Sequence, residues 1–211
     1  MQSYKEHFTN KSYLFSFFIG LVLIIIALLV QFWASTYATR NASSSVADIV
    51  LSNTRVYDIG GIFVYGSVFL FFIVLAIVVR KPKYLPFALK SVATFTLIRS
   101  VFVTLTHISS FPARASIDSV FFKETAFRGI FSGDGLFFSG HTGLPFLLAL
   151  MFWNVFPLRI FFLAASLNFG IVVLLGHIHY SIDVLSAFFI TYSIFQICIF
   201  LYREDWKLFN S

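Results

Sequence analysis

The chain has 211 residues, of which 59% are hydrophobic, 20% aromatic and only 11% charged, with a net charge of +6. A soluble domain carries roughly a quarter charged residues, so this composition excludes an ordinary water-soluble globule. The 30 phenylalanines suit a surface solvated by acyl tails. The positive balance fits the loop bias of a membrane protein or attraction to anionic head groups. No basic and aromatic cluster resembles a nucleic-acid footprint. The lone Cys198, in an apolar run, excludes an intramolecular disulfide.

A bilayer-crossing helix needs about 20 largely apolar residues. The first candidate spans about 13–35. Ala34-Ser35-Thr36-Tyr37-Ala38 at its end could pass for a leader cleavage site, but the apolar run is too long for a leader core, so a retained helix is expected. The second spans about 61–79 and stops at Arg80-Lys81-Pro82-Lys83. The third spans about 85–107 and holds Lys90 and Arg99. A long polar connection over about 108–139 follows. The fourth, fifth and sixth spans cover about 141–156, 158–176 and 180–202, before Arg203-Glu204-Asp205-Trp206-Lys207. The expected fold is an all-α integral membrane protein, one domain over 1–211 with six transmembrane helices. Basic residues of the short loops place both termini in the cytoplasm. The 36–60 loop, the 108–140 loop and the His177 turn then face the extracytoplasmic side.

Ionisable groups at membrane depth are costly, by about 2.5 kcal/mol or more each. Those standing out are Arg99, His141, His177, His179 and Asp183. The last four map to the outer ends of helices four, five and six, although they come from two separate segments. In Ser139-Gly140-His141-Thr142-Gly143, the glycines let the backbone approach a ligand closely. Ser139 or Thr142 can cap the helix. The free amides of its first turn make a seat for an anion, and the start of the sixth helix offers a second dipole end. An ordinary helix start with a surface histidine accounts for the stretch equally well. In His179-Tyr180-Ser181-Ile182-Asp183, the i, i+4 spacing puts imidazole and carboxylate on one helical face. The carboxylate would fix the tautomer and leave the other ring nitrogen as a nucleophile. A polar pair snorkelling at a helix end is the plainer alternative.

These two stretches, Ser-Gly-Asp-Gly-Leu-Phe-Phe-Ser-Gly-His-Thr (132–142) and His-Ile-His-Tyr-Ser-Ile-Asp-Val (177–184), resemble the phosphatidic-acid-phosphatase type 2 superfamily, and within it the sphingomyelin synthase branch. Leu97-Ile98-Arg99, with Thr104 and Thr106 downstream, is a weaker match. The resemblance implies that His179 attacks phosphorus to form a phosphohistidine and that Asp183 orients it. It implies that His141 protonates the leaving oxygen and later deprotonates the acceptor. The implied reaction moves a phospho-head group from a phospholipid donor to ceramide, releases diacylglycerol, and needs no metal or cofactor. Water as acceptor would give a phospholipase C-like hydrolase.

The chain departs from the pattern in places. The phosphatase branch carries cations before its nucleophile, whereas residues 169–175 here carry none. A phosphate monoester carries about −1.5 to −2 charges near neutral pH, a diester only one, so the missing cations favour a diester. Arg99 is the one basic group in the spans able to reach the phosphate, or else it is a structural partner for an acid or for helix-end carbonyls. Phe102 stands where the branch places a threonine, and the first outer loop lacks its proline-rich motif.

Asp134 is expected to orient His141 or contact a head-group amine, or to start a Gly-Asp-Gly turn. His141, His177, His179 and Asp183 could form a nitrogen–oxygen metal site, but the resemblance argues against metal and makes His177 a cavity-lining residue. Tyr180, Phe137 and Phe138 could cage a quaternary ammonium. The candidate site is thus His179, Asp183 and His141 for chemistry, with Arg99, Asp134, Ser139, Gly140, Tyr180 and His177 for substrate. The oligomeric state stays open, a homo-oligomer included. The competing functions are a lipid phosphate phosphatase and a non-catalytic transporter or scaffold on the same fold.

Overall fold

The computed structural model describes residues 4–115 and 137–211, and the described residues are helical with connecting turns and loops. Among the described residues, eight α-helices follow in order: α1 (Tyr4–Thr9), α2 (Lys11–Arg40), α3 (Gly60–Arg80), α4 (Leu85–Leu105), α5 (Gly140–Met151), α6 (Phe156–Leu175), α7 (Ser181–Leu201) and α8 (Arg203–Asn210). Residues 116–136, which include most of the expected long connection together with Asp134, lie outside the described residues.

The helix limits follow local chemistry. Asn10 caps α2 by accepting from the amides of Ser12 and Tyr13, at 2.9 and 3.3 Å. Arg80 closes α3, and Pro82 opens a short 3₁₀ turn that leads into α4. Pro86 and Pro157 sit in the first turns of α4 and α6, where a missing amide hydrogen breaks no helical bond.

Among the described residues, five helices (α2, α4 with its leading turn, α3, α6 and α7) are long and apolar enough to cross a bilayer. Their outer faces carry exposed Phe15, Phe18, Trp33, Phe69, Phe72, Phe189 and Phe200, as lipid-facing surfaces do. The expected fourth span differs. Helix α5 covers 12 residues, which rise about 18 Å, short of the roughly 30 Å hydrocarbon core. Phe152 and Val155 close a turn, through Phe152 N–H to Leu148 and Val155 N–H to Phe152, and α6 starts a residue before Pro157. The expected helix over 141–156 therefore ends at Met151.

Helix α5 is central, packed on α6 and α7, while α2 pairs with α4 and α3 leans on α6. Leu147, Met151, Phe152, Phe162, Phe87 and Ile194 form the fully buried centre. The start of α2 and the C-terminal residues lie at one end of the bundle. There Tyr13 Oη donates to the Pro82 carbonyl at 2.8 Å, and Lys83 Nζ donates to the Ser211 carbonyl at 2.6 Å. The segment after Tyr202 forms α8, which folds back so that Phe209 packs on Tyr84 and Phe152, with ring centroids 4.4 and 5.1 Å apart.

At this end Lys90 is only 7% exposed inside α4. Its ammonium lies 2.7 Å from Asp205 Oδ2 and donates to Ser16 Oγ at 2.7 Å. Ser16 Oγ in turn donates to Asp205 Oδ1 at 2.5 Å. A buried charge survives when paired and hydrogen-bonded, and this triad ties α2, α4 and α8 together. Removing one partner leaves the other uncompensated, at a cost of about 3–5 kcal/mol in a fully buried pair and less here at the bundle rim. Asp205→Ala should therefore lower the thermal midpoint in detergent clearly more than the double variant Lys90→Met/Asp205→Leu, as followed by circular dichroism.

Candidate active site

The opposite end of the bundle gathers the loop over residues 41–59, the segment 106–115, and the starts of α5 and α7. Ser43 N–H donates to the His107 carbonyl at 2.6 Å, and Ser109 Oγ donates to the Ser43 carbonyl. Tyr57 N–H donates to Leu175 and Ala115 N–H to Gly176, at 3.0 and 2.9 Å.

Ser139 caps α5. Its Oγ accepts from Thr142 N–H at 3.3 Å and from Thr142 Oγ1 at 3.1 Å, and its carbonyl accepts from Gly143 N–H at 2.9 Å. Its own amide donates to the Asp183 carbonyl at 3.1 Å. That bond joins the two motif-bearing segments directly. Two glycines permit the crossing. A Cβ on Gly143 would lie 2.8 Å from Thr191 Oγ1 and 2.9 Å from the Phe95 ring, and a Cβ on Gly140 would lie 3.2 Å from Arg99 Nε. The second distance puts the Arg99 side chain directly against Gly140. Arg99 Nε donates to the Phe138 carbonyl at 3.0 Å, and the guanidinium is within electrostatic reach of Asp183.

His179 is 5% exposed and Asp183 2%. His179 Nδ1 lies 3.5 Å from Asp183 Oδ2. This is an ion-pair distance rather than a formed hydrogen bond, and Nδ1 is a buried nitrogen with no hydrogen-bond partner among the described residues. Catalytic contacts are often loose in an empty site and tighten around substrate. The carboxylate itself is anchored, because Oδ2 accepts from Tyr180 N–H at 2.9 Å. His141 is partly buried, within electrostatic reach of His179 and Arg99. Its ring lies against Phe63 of α3 and Phe169 of α6, with centroids 4.1 and 6.1 Å apart.

Of the remaining expected residues, Ser139 and Gly140 stand in the site, and Asp134 lies outside the described residues. His177 points elsewhere. It adopts a left-handed backbone (φ 50°), and its Nε2 lies 3.2 Å from Thr54 Oγ1. Its ring meets Phe111 edge-on at 5.2 Å. Tyr180 is buried at the loops, its hydroxyl donating to the Ser109 carbonyl at 2.8 Å and accepting from Val46 N–H at 3.3 Å. Phe138 is fully buried against Phe95 and Phe102, and Phe137 also meets Phe102. Phe102, at the position expected to hold threonine, is thus a packing partner of the segment entering α5. Among the described residues no three His, Cys, Asp or Glu side chains gather as a metal site.

Asp48, an acid of the 36–60 loop, belongs to neither motif-bearing stretch. The structure buries it (7% exposed) beside the start of α7. Asp48 Oδ1 accepts from the amides of Val50 and Leu51 at 2.8 and 3.0 Å. Oδ2 accepts from Ser181 N–H and Ser181 Oγ at 2.7 and 2.8 Å. Phe63 and Phe169 were also passed over, since one phenylalanine among 30 gives no signal by itself.

Residues 133–200 match the family model described as PAP2 superfamily C-terminal. The match contains both motif-bearing segments except Ser132, together with α5, α6 and most of α7. It supports the superfamily that the two stretches resemble, and with it an enzyme of the phosphatase or phosphotransferase kind acting on lipid phosphates. Together with the five long apolar helices it supports an integral membrane protein. No curated protein and no solved structure matches the chain.

Desolvation raises the Asp48 pKa, but the bonds from Leu51, Ser181 and Val50 outweigh it and hold the carboxyl below its ordinary 3.8. A lowered native pKa stabilises the fold above the unfolded value, and that contribution is lost as pH falls through the native value. The amides of Val50, Leu51 and Ser181 should therefore keep their hydrogen-exchange protection, corrected for intrinsic rate, from about pH 8 to about pH 5.

Proposed function

We propose that this chain is a membrane enzyme that transfers or hydrolyses the phospho-head group of a phospholipid through a phosphohistidine on His179. The observation that carries the reading is the meeting of His141, Arg99 and the His179–Asp183 pair where α5 and α7 begin, joined by the Ser139–Asp183 backbone bond.

The chemistry follows from the geometry. Asp183 lies on the Nδ1 side of His179, so Nδ1–H points at the carboxylate and the Nε2 lone pair attacks phosphorus. The bond from phosphorus to the diacylglycerol oxygen breaks. His141 gives that oxygen a proton. His141 then takes a proton from the acceptor hydroxyl, of ceramide or water, whose oxygen attacks phosphorus and releases His179. The anionic oxygens rest on the first amides of α5, which have no partner inside the helix, and on the Arg99 guanidinium beside Gly140. Among the described residues Arg99 is the cation placed at this helix start, and a cation there suits the single charge of a diester better than the nearly double charge of a monoester. A sphingomyelin or ceramide phosphoethanolamine synthase-like transferase is therefore the preferred reading. The bundle crosses the bilayer six times, with α5 as the short pass, the termini cytoplasmic and the site extracytoplasmic. Asp134 serves the head-group side, and Tyr180 and His177 support the site from the loops.

Head-group-labelled phosphatidylcholine and phosphatidylethanolamine, with and without ceramide, test this on purified protein. Label should pass to ceramide or be released as the phospho-head group. His179→Ala should abolish turnover, and Asp183→Asn should slow it by up to about 10⁴-fold while the fold is kept. His141→Ala should lose less with an activated leaving group than with diacylglycerol. Dephosphorylation of phosphatidic acid with both diesters left intact would instead select a phosphatase, and full turnover by His179→Ala would refute the nucleophile.

A further inference from the structure

We infer that Asp48, in the first outer loop, is a positioning residue for the His179–Asp183 pair, and that by filling the start of α7 it leaves the substrate anion to α5 and Arg99. The inference rests on His179 as the nucleophile.

Asp48 is far from the two motifs in sequence and outside the residues that the family model matches. Yet its carboxylate is buried, and both oxygens accept two hydrogen bonds each. Two of these bonds stiffen the loop at Val50 and Leu51. The other two hold Ser181, which lies between His179 and Asp183. Tyr180, next to it, is held by Ser109 and Val46 through its hydroxyl. The short stretch between nucleophile and orienting acid is thus gripped from two outer segments. Displacing a reacting group by about 1 Å can cost on the order of 100-fold in rate, so this grip bears directly on turnover.

The same contacts decide where a phosphate can sit. A helix start attracts anions through its free amides and its dipole. At α7 the protein's own carboxylates take that place: Asp48 on Ser181 N–H and Asp183 on Tyr180 N–H. A phosphate brought there would meet two like charges. At α5 the cap is a neutral serine hydroxyl, and the nearby charge is the Arg99 guanidinium. The sequence suggested that both helix starts could face the anion; the bonding pattern leaves only α5 open to it.

The test measures kcat and KM for head-group release by the full chain in detergent, using Asp48→Ala, Asp48→Asn and His179→Ala. Asp48→Ala should lower kcat on the order of 10- to 100-fold, with KM within about twofold of the parent because uniform binding is kept. Added formate, which can refill the vacated carboxylate position, should restore part of kcat in Asp48→Ala and none in His179→Ala. An unchanged kcat in Asp48→Ala, with His179→Ala inactive, overturns the inference and leaves the nucleophile assignment standing. Activity in His179→Ala overturns that assignment instead. A KM that rises as kcat falls puts Asp48 on the substrate and also overturns the inference. If Asp48→Ala does not fold, Asp48→Asn, which keeps one acceptor oxygen, decides by the same split between kcat and KM.

Discussion

The hydrogen bond from Ser139 N–H to the Asp183 carbonyl joins two stretches of chain that are separated by two helices. Neither stretch makes a site alone. One brings His141 and a helix start whose first amides have no partner inside the helix, and the other brings a carboxylate facing an imidazole. Around that bond the packing is tight enough that Gly140 and Gly143 have no room for a Cβ without displacing Arg99, Thr191 or Phe95. The register between α5 and α7 is therefore fixed by contact as well as by the backbone bond.

Burial of charge organises the rest. Outside the two ends, the helices offer apolar surface to acyl chains, and a lone charge there would be expensive. The ionisable groups instead collect at the two bundle ends. One end holds Lys90, Asp205 and Ser16 in a closed set of mutual bonds, which fastens α8 to the body. The other holds Arg99, His141, His179, Asp183 and Asp48. The first set is satisfied within itself. The second is not: among the described residues a nitrogen of His179 lacks a hydrogen-bond partner, and the His179–Asp183 distance is long. That contrast is expected where one polar cluster holds the fold and the other awaits a substrate.

The sequence made the chemistry of the site legible because it is written in short-range spacing. Ser139-Gly140-His141-Thr142 and the i, i+4 pair of His179 and Asp183 each sit on one helix start, so the reach of each side chain follows from local geometry. The long apolar helices were legible from hydropathy in the same way. What stayed hidden depends on contacts between distant parts. Asp48 reads as an ordinary loop acid until its loop is laid beside Ser181. His177 looked like a partner of His179 by proximity in sequence, but a left-handed turn sends its ring to Thr54 and Phe111. The length of α5 was overestimated because apolar residues continue past Met151, while the turn at 152–155 is set by packing and by the onset of α6. The run after the sixth span carried no structural expectation, and its apolar partners, Tyr84 and Phe152, make it a docked helix.

The central claim is that the His179 imidazole becomes bonded to phosphorus. The most direct measurement is to quench the enzyme under alkaline conditions during turnover with a phospholipid diester, digest it, and locate the phosphorylated residue by mass spectrometry. The account predicts an acid-labile phospho-head-group adduct on His179, accumulating further when His141 is replaced and the diester carries an activated leaving group, so that only the acceptor step slows. An adduct on His141 or His177, or turnover with no adduct under conditions that trap a known phosphohistidine, would contradict it.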